Sequence, residues 1–164
     1  MYILITKMIN TILKKHNLLF LAILFTALLS SPLHAQTAAE LEELLQIQAI
    51  SYAQAARFVL EAADTASVID STRAFTLAAE RAWLPQKAAA EKPITLAELS
   101  FLIMKAFDLR GGMLYAIKPG PRYAYRSLIS RSFIQGASDP DMTVSGDRFL
   151  LILGNVLDAA GGER

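Results

Sequence analysis

The sequence predicts an all-α fold, and three observations point to it. Three segments open in the same way, with a hydroxyl residue at a predicted helix N-cap and a β-branched residue directly before it. These caps are Ser51, Thr95 and Ser145. The second and third caps lie fifty residues apart, and sliding the sequence by that distance aligns the helices around them. No segment alternates polar and apolar residues as a strand would, so we expect a small helical repeat domain.

The residue three positions after each cap decides whether a capping box can form. Gln54 and Glu98 can each accept a hydrogen bond from the backbone N–H of the cap, which pairs an otherwise free donor. Arg148 occupies the same position in the third segment and has no acceptor atom. We therefore predict two complete capping boxes and, at the third start, a hydroxyl cap alone.

The repeat includes the helix before each cap as well as the capped helix. A shift of fifty residues pairs Trp83 with Phe133 and Phe75 with Tyr125. We expect Trp83, Phe133 and Tyr125 to be core residues, because apolar rings take equivalent places in two copies. The predicted helix-loop-helix units cover residues 37–66, 70–112 and 120–160.

Six helices are predicted, over residues 37–48, 51–63, 72–83, 95–109, 122–132 and 145–160. The first has leucines three and four residues apart, among them Leu41 and Leu45, and the second and fourth begin at the capping boxes. The third helix stops before Pro85, and the fourth stops before the glycine pair 111–112. The fifth follows a proline-rich linker, and the sixth runs from the third cap to the glycine pair 161–162.

Residues 1–35 are predicted to be a signal peptide. Lys7, Lys14 and Lys15 precede the apolar run 18–29, and Ala35 supplies a small residue at the expected cleavage point. Cleavage would leave a single domain over 36–164, and an uncleaved anchor is the alternative. The true start is Met1 or Met8. We expect the protein to be exported to the periplasm or cell surface of a bacterium.

Composition narrows the possible functions. After Ala35 the chain has 15 acidic and 13 basic residues, so a nucleic-acid partner is not expected. The sequence has no cysteine, and both histidines lie within the predicted signal peptide. The usual nucleophile–histidine pairs and zinc ligands are therefore missing from the predicted mature chain. Asp139, Asp141 and Asp147 lack the spacing of a calcium loop. We expect no enzyme activity, no metal and no cofactor.

Residues 113–121 contain the strongest group of helix breakers in the chain and are predicted to be a linker. Pro119 and Pro121 restrict the backbone of this linker, so little conformational entropy is lost when it binds a ligand. Gly120 between them lets a ligand approach the backbone closely.

The candidate binding residues lie at the end of this linker and in the next helix. They are Lys118, Arg122, Tyr123 and Arg126. Arginine forks suit carboxylate or phosphate, and aromatic faces suit sugar rings. Arg122 and Arg126 are four residues apart and should share one helix face. The alternative is a plain linker whose tyrosines fill the core. Tyr115 and Tyr123 are expected to be exposed.

Two segments resemble a known family. Residues 92–99 read KPITLAEL and resemble the helix opening of the S-layer homology (SLH) domain. Residues 128–136 read LISRSFIQG, with DPD at 139–141, and resemble that family's first helix, short turn and acidic loop. The resemblance covers most of 50–158.

The resemblance implies a fold and a function. Members of the family fold as three-helix units, often in a pseudo-threefold arrangement, and many attach proteins non-covalently to cell-wall polymers. Their motif has an Arg in the polymer-binding groove, and the corresponding residues here are Tyr52, Leu96 and Gly146.

Two functions are therefore predicted. The first is an exported, non-catalytic envelope module that associates with cell-wall glycan or a wall-linked polymer. The alternative is a periplasmic protein–protein interaction module, a subunit of an envelope complex, which docks through the leucine-rich helix near 41–47. In both cases contact with the membrane is expected only through the signal peptide before cleavage.

Overall fold

A computed structural model describes residues 33–64, 70–136 and 138–161 of the chain. The described residues form seven helices and two isolated β-bridges, with no strand among them. The helices are α1 Leu33–Gln46, α2 Tyr52–Ala62, α3 Ser71–Glu80, α4 Leu96–Ala106, α5 Met113–Ile117, α6 Pro121–Ser130 and α7 Gly146–Gly161. The prediction of an all-α fold is confirmed. Most of the predicted signal peptide lies outside the described residues.

Six of these helices correspond to the six predicted ones, and their starts agree within one residue from α2 onward. The short helix α5 is an addition and lies within the predicted linker 113–121. The chain divides into two compact units, Met1–Glu42 and Glu43–Arg164, and the boundary between them falls within α1. In the second unit, α2 packs mainly against α3, and α4 packs mainly against α6.

The three capped starts are joined to one another through the residue that precedes each cap. The backbone N–H of Ile50 donates to the carbonyl oxygen of Val144 at 2.8 Å, and the N–H of Ile94 donates to that of Ile50 at 3.0 Å. All three side chains are fully buried. The β-branched residues before the caps therefore form the centre of the core.

A second set of backbone hydrogen bonds surrounds this centre. The first residue of each capped helix donates its N–H to a carbonyl oxygen of another segment. These bonds run from Tyr52 to Lys92, from Leu96 to Met142 and from Gly146 to Ile47, at 3.0, 2.9 and 2.9 Å. The last one returns to the chain just before the first capped start. The three helix starts are consequently connected in a closed circuit.

Both predicted capping boxes are present. Ser51 and Gln54 exchange hydrogen bonds of 3.1 and 3.3 Å, and Thr95 and Glu98 exchange bonds of 3.0 and 3.4 Å. Glu98 also accepts a hydrogen bond from the hydroxyl of Tyr52, which links the starts of α2 and α4. Burial of this tyrosine, together with that carboxylate, raises the pKa of Tyr52.

The third start is built differently. Arg148 directs its guanidinium away from the cap and donates to the sulfur of Met142 at 3.2 Å. The Ser145 hydroxyl instead hydrogen-bonds to the carboxylate of Asp147 and lowers its pKa. The predicted absence of a reciprocal partner agrees with the structure, and the predicted bond from the Ser145 hydroxyl to the backbone of the first turn stays a prediction.

Gly146 is a site of close contact between helices. A Cβ atom at this position would lie 1.7 Å from the carbonyl oxygen of Leu44 in α1, far inside van der Waals distance. Only glycine lets the first turn of α7 approach the backbone of α1 so closely. The side chain of Leu44 is buried in the core, whereas that of Leu45 is exposed.

Four helices end in the same way, with a non-glycine residue of positive φ. These residues are Asp64, Ala82, Asp108 and Ser132, at φ values of 53°, 55°, 50° and 62°. After Ala82, the N–H of Trp83 donates back to the carbonyl oxygen of Ala78, and that of Phe133 does the same to Leu128. This is the hydrogen bond of a Schellman motif, in which the next residue is typically apolar and contacts the helix.

The burial of the aromatic side chains confirms some predictions and contradicts one. Tyr125 and Phe133 are buried as expected, and Trp83 is half-buried against the core. The prediction that Tyr115 is exposed is wrong, because only 8% of its surface is accessible. The reason is α5, which turns Tyr115 inward, where its ring packs edge-on against Phe101 with 6.3 Å between centroids.

Candidate functional site

Helix α6 positions the two candidate arginines. It begins at Pro121, whose restricted φ suits the first helical position and whose missing N–H costs no hydrogen bond there. Gly120 before it has no side chain to cap the helix. Arg122 and Arg126 follow one turn apart and are both exposed. The positive end of the helix dipole therefore lies beside two cationic side chains.

The two arginines border one pocket of about 480 Å³. Its other lining residues are Tyr123, Tyr125 and Pro140. The hydroxyl of Tyr125 is 3.1 Å from the carbonyl oxygen of Ser138 and 3.0 Å from its hydroxyl, so the far wall is attached to α6. The pocket is thus formed by residues that are distant in sequence and held by specific hydrogen bonds.

The charges of residues 109–138 are of one sign, although Pro140 of the pocket lining stands between Asp139 and Asp141. Residues 109–138 contain five basic residues and no acidic one, whereas the rest of the chain after Ala35 contains eight basic and fifteen acidic residues. The side chains of Lys118, Arg122 and Arg126 form no hydrogen bond or ion pair with another described residue. Their charges are therefore available to an anionic ligand. We call residues 109–138 the basic segment.

A second hollow, of about 230 Å³, shares Tyr123 and Arg126 with the first as lining residues. Met113, Leu114 and Tyr115 of α5 contribute to its lining. The hydroxyl of Ser127 accepts a hydrogen bond from the N–H of Gly112 at 3.2 Å and so joins the start of α5 to α6. Burial and the nearby charge of Asp108 raise the pKa of Tyr115.

The structure brings three of the four predicted site residues together. Arg122, Tyr123 and Arg126 line the larger pocket, whereas Lys118 is exposed at the end of α5 and lines neither hollow. The repeat assigns Tyr125 to the core only, and the structure places it both in the core and in the pocket wall. Pro140 is an addition to the predicted site, because nothing local to it indicates contact with α6.

The three positions that align with the groove arginine of the SLH motif are not accessible to a ligand. Tyr52, Leu96 and Gly146 are all buried, since they sit in the circuit of hydrogen bonds that connects the helix starts. A polymer could not reach them. The three exposed cations of the predicted site lie elsewhere, directly after α5 and on α6.

Two carboxylates in and directly after the loop before α7 accept hydrogen bonds from neighbouring residues of the chain. The carboxylate of Asp139 accepts the N–H of Asp141 at 2.8 Å, and Asp147 bonds to the cap of α7. In the described ranges, no three acidic, histidine or cysteine side chains come together as a metal site would require. None of the described helices is both long and apolar enough to cross a membrane.

Comparisons with models of protein families, with curated proteins and with solved structures find no match to this chain.

Proposed function

We propose that the protein is an exported, non-catalytic envelope module that binds an anionic cell-wall glycan or wall-linked polymer through the pocket at the start of α6. The observation that supports this proposal most directly is the segregation of charge. Two exposed arginines, whose side chains have no partner among the described residues, border one pocket, and residues 109–138 around them contain no carboxylate. The acidic residues next in the chain, Asp139 and Asp141, flank the lining residue Pro140. A neutral or cationic ligand would gain no charge–charge attraction from the two arginines.

The pocket geometry suits a charged sugar. The guanidinium groups of Arg122 and Arg126 can reach one carboxylate or phosphate, and each can donate two parallel hydrogen bonds to it. Tyr123 offers an aromatic face at the same pocket. Pro121 and the hydrogen bonds of Tyr125 restrict the walls before the ligand arrives, which reduces the entropy lost on binding.

The resemblance to the SLH domain supports the same proposal. The two capping boxes, and the closed circuit between three helix starts, are consistent with repeated helix-loop-helix units around a pseudo-threefold centre. In this proposal the ligand contacts have moved from the buried groove positions to α6. Catalysis is not part of the proposal, because the chain after Ala35 has neither histidine nor cysteine.

The test compares two double variants of equal charge in a pull-down on purified sacculi. Arg122→Ala with Arg126→Ala should weaken binding roughly tenfold or more, since each hydrogen bond to a charged group contributes about 1.5–3 kcal/mol. Its binding should also become less sensitive to salt. The control is Arg73→Ala with Lys87→Ala, which removes two exposed cations outside the basic segment and should bind as the parent does.

Equal losses in both double variants would contradict the proposal, because binding would then follow net charge and not the pocket. Parental binding by the Arg122 and Arg126 variant would also contradict it. In that case, co-purification of one defined protein from a detergent extract would favour the alternative function, a protein–protein interaction module. Circular dichroism of each variant shows whether the helices are retained.

A further inference from the structure

Helix α5 exposes three large apolar side chains at one end of the basic segment. Met113, Leu114 and Ile117 have 77%, 51% and 75% of their surface accessible. Exposed apolar side chains grouped in this way usually mark a contact surface. The pocket of the proposed function is lined by other residues, so this surface requires its own explanation.

Helix α5 is firmly attached to the core although three of its side chains are exposed. Tyr115 is buried and leaves no room for a side chain at Gly111, where a Cβ would lie 2.4 Å from its Cδ1 atom. The start of the helix is tied to α6 through Ser127. The helix is held by one face, and its opposite face projects apolar side chains away from the core.

The border of this apolar surface is cationic. Lys118 directly follows α5, and Arg126 lines the same hollow as Met113 and Leu114. The basic segment contains no carboxylate, and the acidic charge near α5 is that of Asp108, which directly precedes the segment and lies near the buried Tyr115. The border of the exposed face itself is formed by Lys118 and Arg126 and is cationic. Apolar side chains that project outward with cations beside them match an anionic lipid bilayer, which offers phosphate groups at its surface and hydrocarbon below.

We propose that α5 docks on the surface of a bilayer that contains anionic lipid, with Met113, Leu114 and Ile117 inserted among the headgroups. Lys118 and Arg126 would then contact lipid phosphates, and Tyr123 would lie near the interface, where aromatic rings with a polar atom are favoured. This contact is peripheral and adds a second membrane contact to the one expected of the signal peptide. It does not depend on polymer binding by the pocket.

The test uses the processed chain that begins at Gln36, which retains the whole unit Glu43–Arg164. Co-sedimentation is measured with vesicles of phosphatidylcholine alone and of phosphatidylcholine mixed with phosphatidylglycerol. The parent should bind the mixed vesicles and not the neutral ones, and added salt should weaken binding. Met113→Ser with Ile117→Ser should reduce binding to the mixed vesicles roughly tenfold or more, since two large apolar side chains are lost.

The matched control is Leu151→Ser with Leu157→Ser, which changes two exposed leucines of α7 outside the basic segment, accessible to 56% and 41%. This control should bind vesicles as the parent does. A third variant, Ile117→Trp, should bind more tightly than the parent because tryptophan favours the membrane interface. Circular dichroism and sedimentation without vesicles show whether this variant is folded and stays in solution on its own, so a gain in its vesicle binding keeps the proposal testable if the serine variant unfolds.

Three results would overturn the proposal. The first is equal binding of the parent to neutral and anionic vesicles, and the second is an equal loss in the α5 and α7 variants. The third is parental vesicle binding by the α5 variant together with loss of a co-purifying protein, which would make α5 a protein-docking surface. The sacculus pull-down separates failure of this proposal from failure of the proposed function. The α5 variant retains Arg122 and Arg126, so it should bind sacculi as the parent does.

Discussion

Substitution of Gly146 by alanine should destabilise the protein strongly, although it adds only one methyl group. The added Cβ would lie 1.7 Å from the oxygen and 2.7 Å from the carbon of the Leu44 carbonyl. Both atoms belong to the backbone, so no rotamer change can relieve the overlap. The start of α7 and the end of α1 must separate by more than about 1 Å before the contact becomes tolerable.

The magnitude follows from two losses. Overpacking of this kind costs about 1–3 kcal/mol. The separation would also stretch the 2.9 Å hydrogen bond from Gly146 to Ile47, which contributes about 0.5–1.5 kcal/mol. We therefore expect Gly146→Ala to lower the free energy of unfolding by about 2–4 kcal/mol. This hydrogen bond closes the circuit between the three helix starts, so the loss should affect the whole core and not only α7.

The control is Gly154→Ala in the interior of the same helix. A Cβ at Gly154 would have no described atom within 4 Å, apart from its own helix and neighbours. This substitution should raise the free energy of unfolding by about 0.5–1 kcal/mol, because alanine loses less backbone entropy than glycine in a helix. Urea unfolding followed by far-UV circular dichroism measures both values. Equal effects of the two substitutions would refute the close approach of α1 and α7.

Two further predictions concern a helix end and a buried tyrosine. Ala82→Gly should raise the free energy of unfolding by about 1 kcal/mol, since φ is 55° there and a Cβ in the left-handed region costs energy. Ala79→Gly, in the exposed face of α3, should lower it by a similar amount, and the same sign for both would contradict the assignment of the helix end. The raised pKa of Tyr52 means that, as the pH rises, this hydroxyl ionises in the unfolded chain before it ionises in the folded protein. The contribution of the neutral hydroxyl to the free energy of unfolding is therefore complete below about pH 10 and declines above it. Tyr52→Phe should flatten the decline of the melting temperature with pH in that range, and an unchanged profile would exclude the burial of the hydroxyl.

Several features of the fold could be predicted from the sequence because they depend on residues close together in the chain. The capping boxes at Ser51 and Thr95 need only a partner three residues away, and both are present. The starts of α2, α4 and α7 follow from the caps, and the apolar periodicity follows from the helical turn. Arg122 and Arg126 share a pocket because they are one turn apart on α6.

Helix α5 could not be predicted because its own sequence does not stabilise it. Five residues between glycines and prolines are too few to form a helix in isolation. Tertiary contacts of Tyr115 with Phe101, and of Gly112 with Ser127, supply what the local sequence lacks. The same contacts bury Tyr115, against expectation, and leave its neighbours exposed.

The sequence by itself determined where α2, α4 and α7 begin and which of their positions are apolar, whereas the helix ends lie up to three residues from the predicted ones. The tertiary structure alone decided which helix starts meet, why glycine stands at 146, and which side chains complete the pocket. The reason is that these features join residues that are far apart in the chain, such as Gly146 with Leu44 and Tyr125 with Ser138. Spacing within a segment specifies local hydrogen bonds, whereas contacts between segments depend on how the whole core is filled.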